Sequence, residues 1–262
     1  MVMISTMEDW VHTPRGRLYV KRWLPVAPDA SSRAPIILFH DSLGSVTLWR
    51  DFPEHLAGVT GREVIAYDRL GFGQSDPYPG KLDAGFVREE AREGFPALCR
   101  QLQLEQFVLF GHSVGGAMAA VCAGTYPDRC QALITESSQA FVEDRTLSGI
   151  SDAERGFAQE GQMDRLKKYH GEKAAWVLNA WVETWHSEAF RDWTMDEDLR
   201  RVRCPVLAIH GENDEYGSLL HPERYSSLPS GPSTMLIVPD CGHLPHREKQ
   251  DIVLEAVKAF LA

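Results

Sequence analysis

The sequence predicts an α/β protein built on a mostly parallel, doubly wound sheet with a helical insertion. Three observations carry this. Apolar runs near 35–39, 63–67, 106–110, 131–136, 204–210 and 233–238 alternate with helical patterns, notably one around 84–103. That alternation is the rhythm of parallel strands joined by helices on both faces of a sheet. Between about 141 and 200 the rhythm stops, and Phe157, Met163, Leu166, Tyr169, Trp176, Trp181, Trp185 and Phe190 recur mostly at three to five residues, as in short amphipathic helices. The chain has 262 residues, long for one domain but ordinary for a large α/β sheet with an insertion. The expected organisation is a core from 1–140 and 201–262, with 141–200 as the inserted helical unit.

The first element is a hairpin, with Trp10–Thr13 and Leu18–Trp23 flanking the turn Pro14-Arg-Gly-Arg17. Pro25 to Arg33 has no apolar periodicity and reads as a surface loop. The strand Pro35–Phe39 leads into His40-Asp-Ser-Leu-Gly44. The strand Glu63–Tyr67 leads into Asp68-Arg-Leu-Gly-Phe-Gly-Gln-Ser75, which fails as a dinucleotide-binding loop because the third glycine is missing and no helix pattern follows directly. Gln106–Phe110 leads into Gly111-His-Ser-Val-Gly-Gly116 and then the small-residue run Ala117–Ala120. That is a strand, a sharp turn and a helix. A serine at the apex of such a turn takes a strained backbone, and glycine leaves the room it needs two residues to either side. In this context Ser113 reads as a nucleophile rather than a residue of an ordinary glycine-rich turn.

A serine hydroxyl hardly ionises at neutral pH, so it needs a base in hydrogen-bond reach and a third group to orient that base. His243 sits in the loop Pro239–Pro245, directly after the strand Thr234–Val238. Pro245 then opens a terminal helix with Ile252, Val253, Ala256, Val257, Phe260 and Leu261 on one face. The bland alternative is a loop histidine that caps this helix. His246, in the first helical turn, reads as structural. Asp214, in the acidic turn Gly211–Gly217 after the strand Pro205–His210, is the candidate orienting carboxylate. Glu212 and Glu215 are close competitors, and Glu136 a more distant one; the alternative for Asp214 is a turn residue bonded to its own backbone. Cys241 lies two residues from His243 and reads as packing or loop structure.

The order Ser113, Asp214, His243, each after its own strand, resembles the α/β-hydrolase family over most of the chain. The resemblance implies a fold of the α/β-hydrolase type, with 141–200 forming a helical cap over the nucleophile. It assigns the oxyanion hole to the backbone N–H groups of Val114 and Ser42. His40–Gly44 looks like the family's oxyanion loop, although Asp41 stands where the family usually has glycine; aspartate tolerates left-handed backbone angles better than most residues. Asp68–Ser75 matches a structural turn of the family. His243 would take the Ser113 proton as Ser113 attacks a carbonyl, and Asp214 would fix the imidazole tautomer. Trp176, Trp181 and Trp185 are the candidates for substrate contact, against the alternative that they dock the insertion onto the core.

Serine at this position resembles esterases, lactonases, thioesterases, peptidases and carbon–carbon bond hydrolases, whereas dehalogenases and epoxide hydrolases have aspartate. The loop Asp41-Ser-Leu-Gly-Ser45, with Trp49 nearby, looks like that of 3-oxoadipate enol-lactonases. The leading expectation is a serine hydrolase of a small carboxylic ester or lactone, acting through an acyl-enzyme on Ser113. An acidic lactone would need a basic residue, and Arg145, Arg165 and Arg191 are available. A second class is cofactor-free carbon–carbon bond hydrolysis or dioxygenation of an aromatic-derived substrate, though such dioxygenases place histidine where this chain has Val114. A third is a non-catalytic ligand-binding protein. No metal or organic cofactor is implied, since the triad and oxyanion hole complete the chemistry.

The formal net charge of −10 and the pI near 5.5 argue against nucleic acid or an anionic membrane as partner, leaving a small molecule. The pair Lys167-Lys168 reads as a solvated helix face. Five cysteines without paired metal spacing read as reduced thiols in a cytoplasmic protein. The N-terminus shows no secretory signal, and no apolar run approaches the ~18 residues of a membrane span.

Overall fold

The computed structural model describes residues 2–26 and 33–262. Most of the Pro25–Arg33 loop lies outside these described residues. The strands are β1 (Ile4–Thr13), β2 (Gly16–Pro25), β3 (Ile36–Phe39), β4 (Val64–Tyr67), β5 (Phe107–His112), β6 (Cys130–Glu136), β7 (Val206–Gly211) and β8 (Ser233–Val238). They form one eight-stranded sheet in the order β1-β2-β4-β3-β5-β6-β7-β8. All neighbours from β4 through β8 are parallel; the hairpin β1–β2 runs antiparallel and adds itself to the edge of β4.

Every residue of β3, β4, β5 and β7 is buried, as expected for strands covered on both faces. The two-residue period of a strand divides their side chains between two cores. Ile37, Phe39, Ile65, Tyr67 and Leu109 join the cluster on one face, while Ile36, Leu38, Val64, Ala66, Val108 and Phe110 join that on the other. Helices α1 (Phe52–Thr60), α4 (Val114–Thr125) and α9 (Leu220–Ser227) connect the strands.

Two expected helices are each broken. The pattern around 84–103 forms α2 (Phe86–Glu90) and α3 (Gly94–Gln101). At the break the Glu90 carboxylate accepts from the Tyr67 hydroxyl at 2.8 Å and fills the space where a Cβ on Gly94 would stand. The terminal helix is α10 (Pro245–Glu248) followed by α11 (Gln250–Phe260), with Lys249 non-helical at φ −138° and ψ 46°. On α11, Val253, Leu254 and Val257 enter the core, and the expected Ile252 is exposed.

Between β6 and β7 the chain inserts α5 (Asp144–Phe157), α6 (Gln162–His170), α7 (Ala174–Trp185) and α8 (Asp196–Leu199). The ends of this excursion meet. Phe141 bridges Thr194, and the Met195 N–H donates to the Ala140 carbonyl at 2.8 Å. Trp185, Phe190 and Trp193 pack together inside it, with ring centroids 5.0–5.7 Å apart. Cys99, Cys122, Cys130, Cys204 and Cys241 are buried, free thiols. No helix among the described residues is long and apolar enough to cross a membrane.

Candidate active site

The turn between β5 and α4 holds Ser113 at φ 55° and ψ −131°, a conformation non-glycine residues rarely adopt. Its N–H donates to the Glu136 carbonyl at 2.8 Å, and its own carbonyl accepts from Gly116 at 2.9 Å, which closes the turn. The flanking glycines are there for space. A Cβ on Gly111 would collide with the backbone of Gly115 and Gly116, and one on Gly115 with the carbonyls of Phe39 and His40. Gly116 lies against Ser138 in the same way.

His243, in the loop after β8, turns Nδ1 to Asp214 in the loop after β7, at 2.9 Å from both carboxylate oxygens. Asp214 is buried and also accepts the Tyr216 N–H at 2.8 Å. Burial alone would raise the Asp214 carboxyl, but the charge and hydrogen bond of His243 outweigh it and hold the group down at about 2. Conversely, burial would lower the His243 imidazole, and the Asp214 carboxylate beside it raises it above the ordinary value.

The competing acids have other partners. Glu136 accepts from His246 at 2.6 Å in a buried pair, and Glu212 accepts the Asp240 N–H at 3.2 Å. Glu215 borders the cavity described below. His246 is structural, as its position implied, and packs on Trp49 and Phe52. His112, beneath Ser113, donates from Nε2 to the His243 carbonyl at 2.8 Å and so supports the histidine loop from below. Burial, with His243 and His246 close by, lowers His112 to about 4 and keeps it neutral. His112, Glu136 and His246 bring three metal-type ligand atoms within 4.8 Å of one another. Hydrogen bonds within the protein already engage all three residues, so the cluster reads as internal bracing.

The loop after β3 is pinned from two sides. The Arg69 guanidinium donates to the Asp41 carbonyl at 2.8 Å, and the Arg69 N–H to His40 Nε2 at 3.1 Å. From α6, His170 bonds the Leu43 carbonyl at 2.9 Å and accepts the Gly73 N–H at 2.9 Å. Asp41 is not at positive φ, so the loop forms without the left-handed residue its family resemblance suggested. Among the described residues, no hydrogen bond takes up the N–H of Ser42 or Val114. The turn after β4 is built around Asp68, whose buried carboxylate accepts the N–H groups of Val46 at 2.6 Å and Gln74 at 2.7 Å. Gly73 leaves space for that carboxylate.

Ser42, Ser113 and His243 border one cavity of about 180 Å³, closed from the insertion by Thr146, Ile150, Trp181 and Trp185. Trp176 does not reach it. Five residues before Trp181, it points some 140° away around α7, stacks on Tyr78 at 5.3 Å and donates to the Gly80 carbonyl at 2.7 Å. Besides Thr146 and Ile150, two residues in contact with the catalytic candidates escaped the sequence reading. Gln139 accepts the Ser113 hydroxyl at 3.2 Å, and the Tyr216 ring lies 4.8 Å from that of His243. The signal for both is position: Gln139 lies three residues beyond the end of β6, and Tyr216 two beyond Asp214.

The family model of the alpha/beta hydrolase fold matches residues 34–168, from β3 into α6. The chain belongs to the α/β-hydrolase fold family. This α/β hydrolase is similar to the serine hydrolase BPHL of Mus musculus, 25% identical over 235 residues that cover 86% of this chain and 78% of the relative. It is 35% identical over 125 residues to the 1-acylglycerol-3-phosphate O-acyltransferase ABHD5 of Rattus norvegicus, a match covering 48% of this chain but only 34% of that relative's own length. Its fold is similar to that of a thermophilic esterase from Thermogutta terrifontis, with a TM-score of 0.73 and 22% identity over 97% of this chain and 98% of the other.

Proposed function

We propose that this α/β hydrolase is a serine hydrolase that cleaves a small carboxylic ester or lactone through an acyl-enzyme on Ser113. The observation that carries the reading is the convergence of a strained serine and a carboxylate-oriented histidine on one cavity. His243, held by Asp214 through Nδ1, has Nε2 available to take the Ser113 proton during attack on the carbonyl. The N–H groups of Val114 and Ser42 then meet the oxyanion, each such donor contributing about 3–4 kcal/mol of transition-state stabilisation. His243 returns the proton to the leaving alcohol, and water releases the acyl group by the same route. For this the Ser113 hydroxyl exchanges its Gln139 partner for His243 when substrate enters. The two tryptophans closing a cavity of about 180 Å³ favour a compact acyl group.

The test is hydrolysis of p-nitrophenyl esters from acetate to octanoate, with a prolyl p-nitroanilide in parallel, by wild type and Ser113→Ala. Ester turnover in the wild type, lost by several orders of magnitude in a folded Ser113→Ala, is the expected outcome. Wild-type rates in the variant would overturn the role of Ser113. Turnover confined to the anilide would replace ester chemistry by peptidase chemistry.

A further inference from the structure

Asp41, Leu43 and Leu244 border the Ser113 cavity, and they also border a second chamber of about 260 Å³. The two spaces are thus neighbours that share these three lining residues. The second chamber has an apolar lining from Leu48, Trp49, Phe157 and Leu166, and two guanidiniums stand in its wall. Arg247 follows His243 by four residues, and Arg165 comes from α6 of the insertion.

Neither arginine has a carboxylate within 4.0 Å among the described residues. Arg165 reaches only Gln162, at 3.4 Å. Arg247 is half-buried, with Nη2 donating to the Leu48 carbonyl and a buried Nε that has no partner. Burial disfavours the charged guanidinium and pushes its pKa down here, with nearby Arg50 acting in the same direction and Asp41 opposing it. Some other partly buried arginines of this chain are paired with carboxylates, while Arg62, Arg69 and Arg129, like Arg247, donate to backbone carbonyls. Arg22 meets Glu63 at 2.5 Å, Arg88 meets Asp198 at 2.7 Å and Arg224 meets Asp196 at 2.8 Å. The one carboxylate bordering the chamber is Asp41, and its Oδ1 is folded against Gly44, where a Cβ would displace it. The remaining titratable groups of the lining are Tyr169 and three histidines, of which His246 is paired with Glu136.

We propose that the second chamber is a subsite for a carboxylate carried by the substrate, held by Arg247 and Arg165, so that the ester cleaved at Ser113 bears a free acid group. A planar, bidentate guanidinium is the side chain best matched to such a group. The proposal rests on the ester reading above, and its test keeps the two apart. Monomethyl glutarate, which carries one free carboxylate, and neutral dimethyl glutarate are titrated calorimetrically into Ser113→Ala, where no turnover can intervene. The monoacid is expected to bind at least tenfold more tightly, and the advantage to fall below twofold when Arg247→Gln and Arg165→Gln are added. Arg165 is exposed on its helix, so its variant folds even if Arg247→Gln does not, and Arg247→Lys should retain part of the preference. Equal affinity for the two esters, binding of neither, or a preference that survives both substitutions would overturn the subsite. In the wild type, the ratio of kcat/KM for mono-p-nitrophenyl glutarate over p-nitrophenyl pentanoate should exceed ten and drop at least tenfold in Arg165→Gln. A calorimetric preference with no turnover of either ester would leave the subsite standing and remove the hydrolase reading; turnover without preference would do the reverse.

Discussion

At the scale of single residues, the pair His243–Asp214 makes a prediction about pH. In the proposed mechanism His243 must be neutral to accept the Ser113 proton, and Asp214 raises its pKa above the ordinary histidine value. The acid limb of kcat/KM should therefore lie above pH 6.5. Asp214→Asn should shift this limb downward and reduce kcat by about 10³–10⁴-fold, because the carboxylate no longer fixes the tautomer. A pH–rate profile of both proteins checks it, and a limb that stays put in the variant would contradict the coupling. The same pair affects stability with the opposite sense at each partner. Asp214, held near 2, stabilises the fold above its unfolded pKa of 3.8, and this is lost as pH falls toward 2. The raised His243 contributes below the ordinary histidine pKa and loses its contribution as pH rises through its own.

The individual positions differ in how far the sequence alone reveals them. Ser113, Asp214 and His243 are legible because each follows a recognisable strand and the sheet carries all three strand ends to one edge. Trp176 is not, since one helix presents it and Trp181 to different surroundings, and which face meets the cavity depends on how the insertion sits. Gln139 carries no local signal beyond its place after β6.

At the scale of elements, the turn after β4 shows a carboxylate acting as scaffold. Asp68 is buried, which pushes its pKa up to about 6, yet it accepts two backbone N–H groups from separate loops. Asp68→Ala strands both donors in the interior and should destabilise the protein by about 2–6 kcal/mol. Chemical denaturation of wild type and variant measures this, and a change within ±0.5 kcal/mol would contradict it. The six strands from β3 to β8 were legible to within a residue or two because apolar runs of four to six residues leave few alternatives, whereas β1 begins at Ile4, six residues before the expected Trp10, in a polar, largely exposed stretch. The helix breaks at 91–93 and at Lys249 were not. At the first, the Glu90 carboxylate sits beside Gly94 and bonds Tyr67 across the fold, a tertiary contact that no local pattern encodes.

At the scale of the whole molecule, the interior is rich in neutral imidazole. Burial lowers His40, His112, His170 and His210, in the case of His112 to about 4. In the unfolded chain these groups take up protons near pH 6.5, so below that value the four imidazoles bind more protons in the unfolded state than in the native one, against the single proton that native Asp68 takes up near 6. Stability must then fall as pH falls through that window. Melting temperatures measured from pH 7 to pH 4 should drop steeply, and a flat profile would refute the argument. Since this loss begins well above the carboxylate range, acid should unfold the protein before Asp214 is protonated.

The meeting of Ala140 and Phe141 with Thr194 and Met195 bears on how such a protein can change over generations. The register of β6 against β7, from Leu133 beside Val206 to Glu136 beside Ile209, is fixed by residues outside the excursion. The stretch between can lengthen, shorten or be exchanged while those pairings persist. The part of the cavity wall that this stretch supplies, Thr146, Ile150, Trp181 and Trp185, can therefore diverge among descendants that inherit the same scaffold unaltered.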